Sequence, residues 1–110
     1  MNWYVAKMIF RIVNNEGSNK AQFDEQLRLV SSDTKCGAFE KATAIARQIE
    51  TKFNGHSKIV KMAFVNVAEV NLITALEDGA EIYCNIHEPE APDVYIGWAN
   101  HKAALITLNN

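Results

Sequence analysis

The sequence predicts an α+β domain in which one antiparallel sheet packs against a single long helix. Two segments alternate apolar and polar residues as half-buried strands do, an amphipathic helix pattern follows them, and further β-prone segments come after that helix. The predicted order is β-β-α-β-β with a tail, which places the helix across one face of the sheet. Because 110 residues suffice for one core and are too few for two ordinary domains, we expect a single domain over residues 1–110.

The first two strands are predicted on either side of a turn-forming cluster. Aromatic and β-branched residues dominate residues 3–14, and the even positions form an unbroken apolar row: Tyr4, Ala6, Met8, Phe10 and Ile12. The odd positions are apolar except at Lys7 and Arg11, so the second face is mixed and the strand is expected to be central. Residues 14–19 are rich in Asn and predict a long hairpin loop. Residues 23–30 then alternate as an antiparallel neighbour with one wet face.

The helix is the most regular pattern in the chain. Ser31, Ser32 and Asp33 offer side-chain oxygens that can cap its first N–H groups. Apolar residues then recur at three- and four-residue spacing: Ala38, Phe39, Ala42, Ile45, Ala46, Ile49 and Phe53. We expect Gly55 to end the helix, because glycine enters the left-handed conformation without steric cost.

Two further strands and a tail are predicted after the helix. Residues 59–73 are β-prone but long for one strand, so a bend or bulge is expected between Asn66 and Asn71. Asp78 and Gly79 form a turn signal, and residues 81–87 alternate as a fourth strand. Two prolines make residues 88–93 a loop. Beyond them the pattern allows either a hairpin, from residues 94–98 and 104–108, or a terminal helix over residues 97–108.

A second layer over the sheet is expected from the same pattern. One helix covers only part of a sheet, yet strands one and three are apolar in their middles on both faces. The uncovered face should therefore meet either the C-terminal tail or a second copy of the chain. A symmetric homodimer is the commonest assembly of this kind.

The composition of the chain limits the partners and the cellular location that we expect. Eleven Lys and Arg against thirteen Asp and Glu give a net charge of −2, which disfavours nucleic acid as a partner. No apolar run approaches the roughly 20 residues of a membrane span, so we expect a soluble, cytoplasmic protein that does not bind membranes. Two cysteines do not make a disulfide framework, and we expect free thiols.

Short motifs in the first three quarters of the chain resemble a known family. Residues 3–10 are similar to its first strand, residues 38–42 to its helix, and residues 64–67 and 78–83 to its later strands. The family is the domain of unknown function family numbered 4288, and the resemblance covers about residues 3–87. It implies a small α+β domain. Since that family has no assigned activity, the resemblance implies no catalytic residue.

A small-molecule site is one interpretation of the polar residues on the predicted strand four. Glu81, Tyr83, Asn85 and His87 share one strand face and could line a cleft together with Lys7 or Arg11. The candidate ligand-binding residues are therefore Lys7, Arg11, Glu81, Tyr83 and His87. No activated nucleophile or phosphate loop accompanies them, so we predict no catalytic residue and favour a solvated strand face.

The two cysteines lie in patterns that are typical of metal-binding or reactive sites. Cys84 and His87 have the spacing of half a metal site, but a three-residue offset on a strand sends the two side chains to opposite faces. Cys36 would lie in the first helical turn, where the helix dipole favours a thiolate, yet no resolving cysteine lies near it in sequence. We predict no metal site and no cofactor.

Charge is also segregated along the chain. Residues 33–61 carry six basic and three acidic side chains, whereas residues 62–100 carry seven acidic and no basic ones. RNA binding through the basic helix face is one hypothesis, although exposed helices are commonly solvated in this way. The function we favour is a non-enzymatic, homodimeric binding or protein-interaction module. The alternative is a small-molecule-binding protein or small enzyme with its cleft near Glu81, Tyr83 and His87.

Overall fold

The α+β class and the antiparallel sheet are confirmed by the structure. A computed structural model of the protein describes residues 1–14, 20–57 and 59–108. The elements are β1 (Asn2–Asn14), β2 (Gln22–Ser32), α1 (Lys35–His56), β3 (Val60–Ile73) and α2 (Pro92–Leu108). The strands form one antiparallel sheet of order β2-β1-β3, so β1 is central, as predicted. The hairpin loop predicted over residues 14–19 lies largely outside the described residues.

The core lies between α1 and the even row of β1. Small residues at a four-residue spacing form the buried stripe of α1: Ala38, Ala42 and Ala46. Their short side chains let the helix backbone approach the sheet closely, where Met8 and Phe10 are fully buried. Phe10 packs against Phe64 of β3 with ring centroids 5.7 Å apart. The unbroken apolar row of β1 is thus the side of the strand that packs against the helix.

The ends of α1 differ in detail from the prediction. Thr34 caps the helix instead of the three preceding residues: its backbone is extended, and its Oγ1 accepts a hydrogen bond from the N–H of Gly37 at 2.9 Å. The helix also continues past Gly55 to His56, and the N–H of Ser57 donates to the carbonyl of Phe53. Gly55 is not in the left-handed region, because this last bond keeps the final turn helical.

The register of β2 places its apolar side chains away from α1. Tyr4 pairs with Val30 and both are buried under the helix, so Leu29 and Leu27 point to the opposite face of the sheet. The polar row on the helix side of β2 makes its own hydrogen bonds, from Gln26 to Asp24 at 2.7 Å and from Arg28 to Gln26 at 3.0 Å. Since α1 packs more extensively on β3 than on β2, that row faces water.

The bend predicted in β3 takes the form of two irregularities. The pairing with β1 shifts by one residue at Ala68 and again at Val65. The first lies within the predicted stretch and the second just before it. The start of β3 is held to α1 by Asn54, whose side chain donates to the carbonyl of Met62 and accepts from its N–H, at 2.9 and 2.8 Å.

The predicted fourth strand is wrong. Gly79 forms the expected turn with a φ of 86°, and the N–H of Ala80 donates to the carbonyl of Glu77. Residues 80–89 then run without regular structure and pair with no described strand, because they cross the face of the sheet instead of extending its edge. Of the two structures allowed for the tail, the helix is correct: α2 begins at Pro92, earlier than expected.

Candidate functional site

The face of the sheet opposite α1, here called the open face, combines apolar and charged side chains. The pairing of the strands assigns these residues to it: Trp3, Val5, Lys7, Ile9, Arg11 and Val13 of β1, Phe23, Glu25, Leu27 and Leu29 of β2, and Asn66, Glu69, Asn71 and Ile73 of β3. Several of the large apolar members are exposed, among them Trp3, Phe23, Leu27 and Leu29. The open face therefore presents exposed apolar side chains among charged and polar ones.

The tail covers one part of this face. Leu76 and Ile82 lie against it and surround a small cavity of about 160 Å³ together with Val5, Leu27, Leu29 and Ile73. Val5 is only 5% exposed as a result. The expected covering of the second face by the tail is thus partial, since the β2 side chains stay about half exposed.

Lys7 is the centre of a polar cluster in the middle of the open face. Its Nζ lies 3.0 Å from a carboxylate oxygen of Glu69 and 3.6 Å from one of Glu25. It also donates to the hydroxyl of Tyr83 and lies 4.7 Å from the centroid of that ring. The hydrogen bond to Tyr83, followed by that to Glu69, raises the pKa of Lys7 above its ordinary value. Lys7 is therefore a charged ammonium that fixes the tail to the sheet.

The structure brings only some of the predicted site residues together. Glu81 and Tyr83 line a cleft of about 280 Å³ beside Glu69, next to Lys7. Arg11 lies further along β1, with its guanidinium 5.8 Å from the ring centroid of Phe23. His87 is not among the described residues that contact Lys7.

The ring of His87 packs on Tyr95 at 5.2 Å between centroids. Among the described residues no carboxylate pairs with His87, so the acid–base pair that the enzyme hypothesis requires is not formed there. Glu25 was missing from the predicted site. It lies diagonally from Lys7 across the β1–β2 pairing, and only the strand register shows that proximity.

The two cysteines are free, as predicted, and both are exposed. Cys36 lines an open groove of about 690 Å³ between the start of α1 and β3, beside Lys35 and Phe39. Within the described ranges, no three His, Cys, Asp or Glu side chains gather as ligands for a metal ion.

Three basic residues of the α1 region hold contacts within the fold. Lys41 donates to Ser31, with its Nζ 3.0 Å from the carbonyl oxygen and 3.1 Å from Oγ. Lys61 donates to the carbonyls of Asn54 and Ser57, and the guanidinium of Arg47 lies 5.3 Å from the ring centroid of Phe64. These side chains are engaged in holding α1 to the sheet and leave a smaller cationic surface for RNA.

Comparison with known proteins gives one match. The family model described as "Domain of unknown function (DUF4288)" matches residues 3–84. No curated protein and no solved structure matches the chain. The matched range contains β1, β2, α1 and β3 and ends just after Tyr83, before α2 begins. In the part of the chain that the structure describes, neither helix has the length and apolar character of a membrane span.

Proposed function

We propose that this chain, which belongs to the family described as "Domain of unknown function (DUF4288)", is a non-catalytic binding module that works as a homodimer, with the open face as the surface that joins two copies. A cytoplasmic location is part of the same proposal. Two identical copies related by a two-fold axis form an isologous interface, in which each copy contributes the same residues.

The orientation of the apolar row of β2 carries this proposal. Leu27, Leu29 and Phe23 lie on the side of the sheet that α1 does not cover, although α1 packs on the same sheet. A strand whose apolar side chains face water gains nothing from that orientation in an isolated chain. A partner that buries this row stabilises it by about 25 cal/mol per Å² of apolar surface removed from water.

The rival function, a small-molecule site at Lys7 and Tyr83, has less support. The three polar partners of Lys7 belong to the chain itself, so its ammonium is not presented to a ligand. His87 and Arg11, which this hypothesis also needs, contact aromatic rings elsewhere. The cluster is better explained as the attachment of the tail to the sheet.

A pair of matched substitutions tests the proposed interface. Leu29 on the open face and Ile59 beside the start of β3 are equally exposed, at 56% and 55%. Leu29→Lys places a charge at the centre of the interface on both copies, and we expect the dissociation constant of the dimer to rise more than about tenfold. Ile59→Lys is the control, with an affinity within about twofold of the wild type because a surface lysine is solvated.

Sedimentation equilibrium over a range of concentrations measures both variants. Far-ultraviolet circular dichroism shows that each variant keeps the fold. Equal dimer affinity for the two variants, or a wild-type chain that stays monomeric, contradicts the proposed interface.

A further inference from the structure

The α2 helix has a stripe of large apolar side chains that packs on neither the sheet nor α1 among the described residues. Successive helical residues turn by about 100°, so five large side chains share a sector of roughly 120°, in which Lys102 also lies: Val94, Tyr95, Trp98, Leu105 and Ile106. All five are exposed. No Cα atom of α2 comes within 8 Å of one in β1, β2, β3 or α1 among the described residues.

Aromatic contacts hold this stripe in order. Tyr95 stacks on Trp98 with centroids 5.8 Å apart and an angle of 29° between the rings. Lys102 lies over Trp98, with its Nζ 5.4 Å from the ring centroid, and His87 covers the other side of Tyr95. These rings thus have neighbours within the arm although they are exposed.

The surface of the chain is larger than a compact monomer requires. A folded monomer of 12.3 kDa is expected to expose about 6,100 Å², whereas this chain exposes 8556 Å². Its radius of gyration is 17.3 Å, compared with about 13 Å for a compact chain of this length. The excess of about 2,500 Å² per chain exceeds the roughly 800 Å² that each partner buries in a standard interface.

The tail leaves the sheet in the middle of the proposed interface. Tyr83 is hydrogen-bonded to Lys7 on the open face, and the chain departs from there toward α2. The segment between them contains Pro89 and precedes Pro92, and both residues restrict how sharply the chain can fold back. The arm, defined here as residues 84–108, therefore starts where a second copy would lie.

We propose that two copies exchange arms, so that α2 of each chain lies along the open face of the other. This inference rests on the proposed function and names the segment of the partner that covers the open face. The helix is about 25 Å long and fits within the roughly 43 Å of β1. It brings Trp98 and Leu105 to the exposed row of β2, and the sheet is then covered by α1 on one side and by the partner's helix on the other.

Charge agrees with this occupant. The arm carries Glu88, Glu90 and Asp93 ahead of its apolar stripe, with Lys102 as its sole Lys or Arg. Arg11 is an exposed cation on the open face and lies over Phe23. Glu25 and Glu69 of this face are paired with Lys7, which leaves Arg11 as the cation that an acidic segment from a second copy can meet next to the β2 row.

Complementation between two variants of the full chain tests the exchange. Trp98→Ser removes the largest side chain of the stripe, and Leu29→Lys disables the open face. Ile96→Ser is the matched control, because Ile96 is exposed on the opposite side of α2, at 56% against 54% for Trp98. We expect Trp98→Ser to weaken the dimer at least tenfold and Ile96→Ser to change its affinity less than twofold. Circular dichroism checks that both variants retain α2.

The decisive sample is an equal mixture of Trp98→Ser and Leu29→Lys at a concentration where each alone is monomeric. In the heterodimer one exchange is intact, and the other carries both lesions in a single contact, where the second lesion costs little once the first has broken that contact. We therefore expect a heterodimer. If Trp98→Ser weakens the dimer and the mixture forms no heterodimer, α2 binds its own sheet and the exchange is overturned. A Trp98→Ser dimer of wild-type affinity overturns the role of the arm but leaves the proposed dimer standing, whereas a monomeric wild type refutes both.

Discussion

Two phenylalanines on opposite faces of the sheet give the sharpest contrast in stability. Phe10 of β1 is fully buried against α1 and Phe64, whereas Phe23 of β2 is 54% exposed on the open face. Replacing Phe10 by alanine removes a buried ring and leaves a cavity, so we expect a loss of about 3–5 kcal/mol in the free energy of unfolding. That is a large part of the 5–15 kcal/mol typical of a domain.

Phe23→Ala acts on association instead. In the isolated chain only about half of the Phe23 ring is covered, so its removal should lower the free energy of unfolding by about 1 kcal/mol. Burying the exposed half in a dimer contributes roughly 1 kcal/mol per copy, or about 2 kcal/mol for both, which corresponds to an approximately 30-fold larger dissociation constant.

Urea unfolding at low protein concentration, where the chain is monomeric, and sedimentation at high concentration separate the two effects. We expect Phe10→Ala to lower the urea midpoint strongly and Phe23→Ala to lower it little. Equal decreases in the urea midpoint of the two monomeric variants would refute the assignment of the two faces. An unchanged dimer dissociation constant for Phe23→Ala would refute the place of Phe23 in the interface.

Three further predictions concern α1, β3 and the polar cluster. Thr34→Ala removes the N-cap and should cost about 1 kcal/mol in urea unfolding, with Thr34→Ser close to wild type; equal losses contradict the cap. Asn54→Ala leaves the N–H and carbonyl of Met62 without their side-chain partner and should lower the free energy of unfolding by about 1–3 kcal/mol. A decrease below about 0.5 kcal/mol would contradict the role of this pair of hydrogen bonds. The raised pKa of Lys7 stabilises the fold fully below the pKa of an unfolded lysine, and this contribution is lost as pH rises through the folded pKa. The unfolding free energy of the wild type relative to Lys7→Met should therefore be constant near neutral pH and fall above about pH 10; a difference that grows there contradicts this sign.

The elements with strong periodicity could be predicted from the sequence. The even row of β1 and the spacing of Ala38, Ala42 and Ala46 determine which side of the strand packs on which side of the helix, because a strand repeats every two residues and a helix every 3.6. The turn at Gly79 followed from its preference for positive φ. The family followed from short motifs in the same well-patterned region.

Other features depend on pairing that no local pattern specifies. The apolar row of β2 suits either face of a sheet, and only its register with β1 turns Leu29 away from α1. Residues 81–87 alternate like a strand, yet the bond from Lys7 to Tyr83 draws them across the open face. Of the candidate site, Lys7 and Tyr83 meet and Glu81 lies beside them, whereas His87 is held by the Tyr95 ring, a contact made possible by the start of α2 at Pro92.

The mass of the wild-type chain in solution tests the central claim most directly. Sedimentation equilibrium from the nanomolar to the high micromolar range should show twice the 12.3 kDa of one chain, with dissociation only at the lowest concentrations. A mass of 12.3 kDa throughout that range would contradict the account, because the apolar row of β2 and the stripe of α2 would then remain in water without a partner.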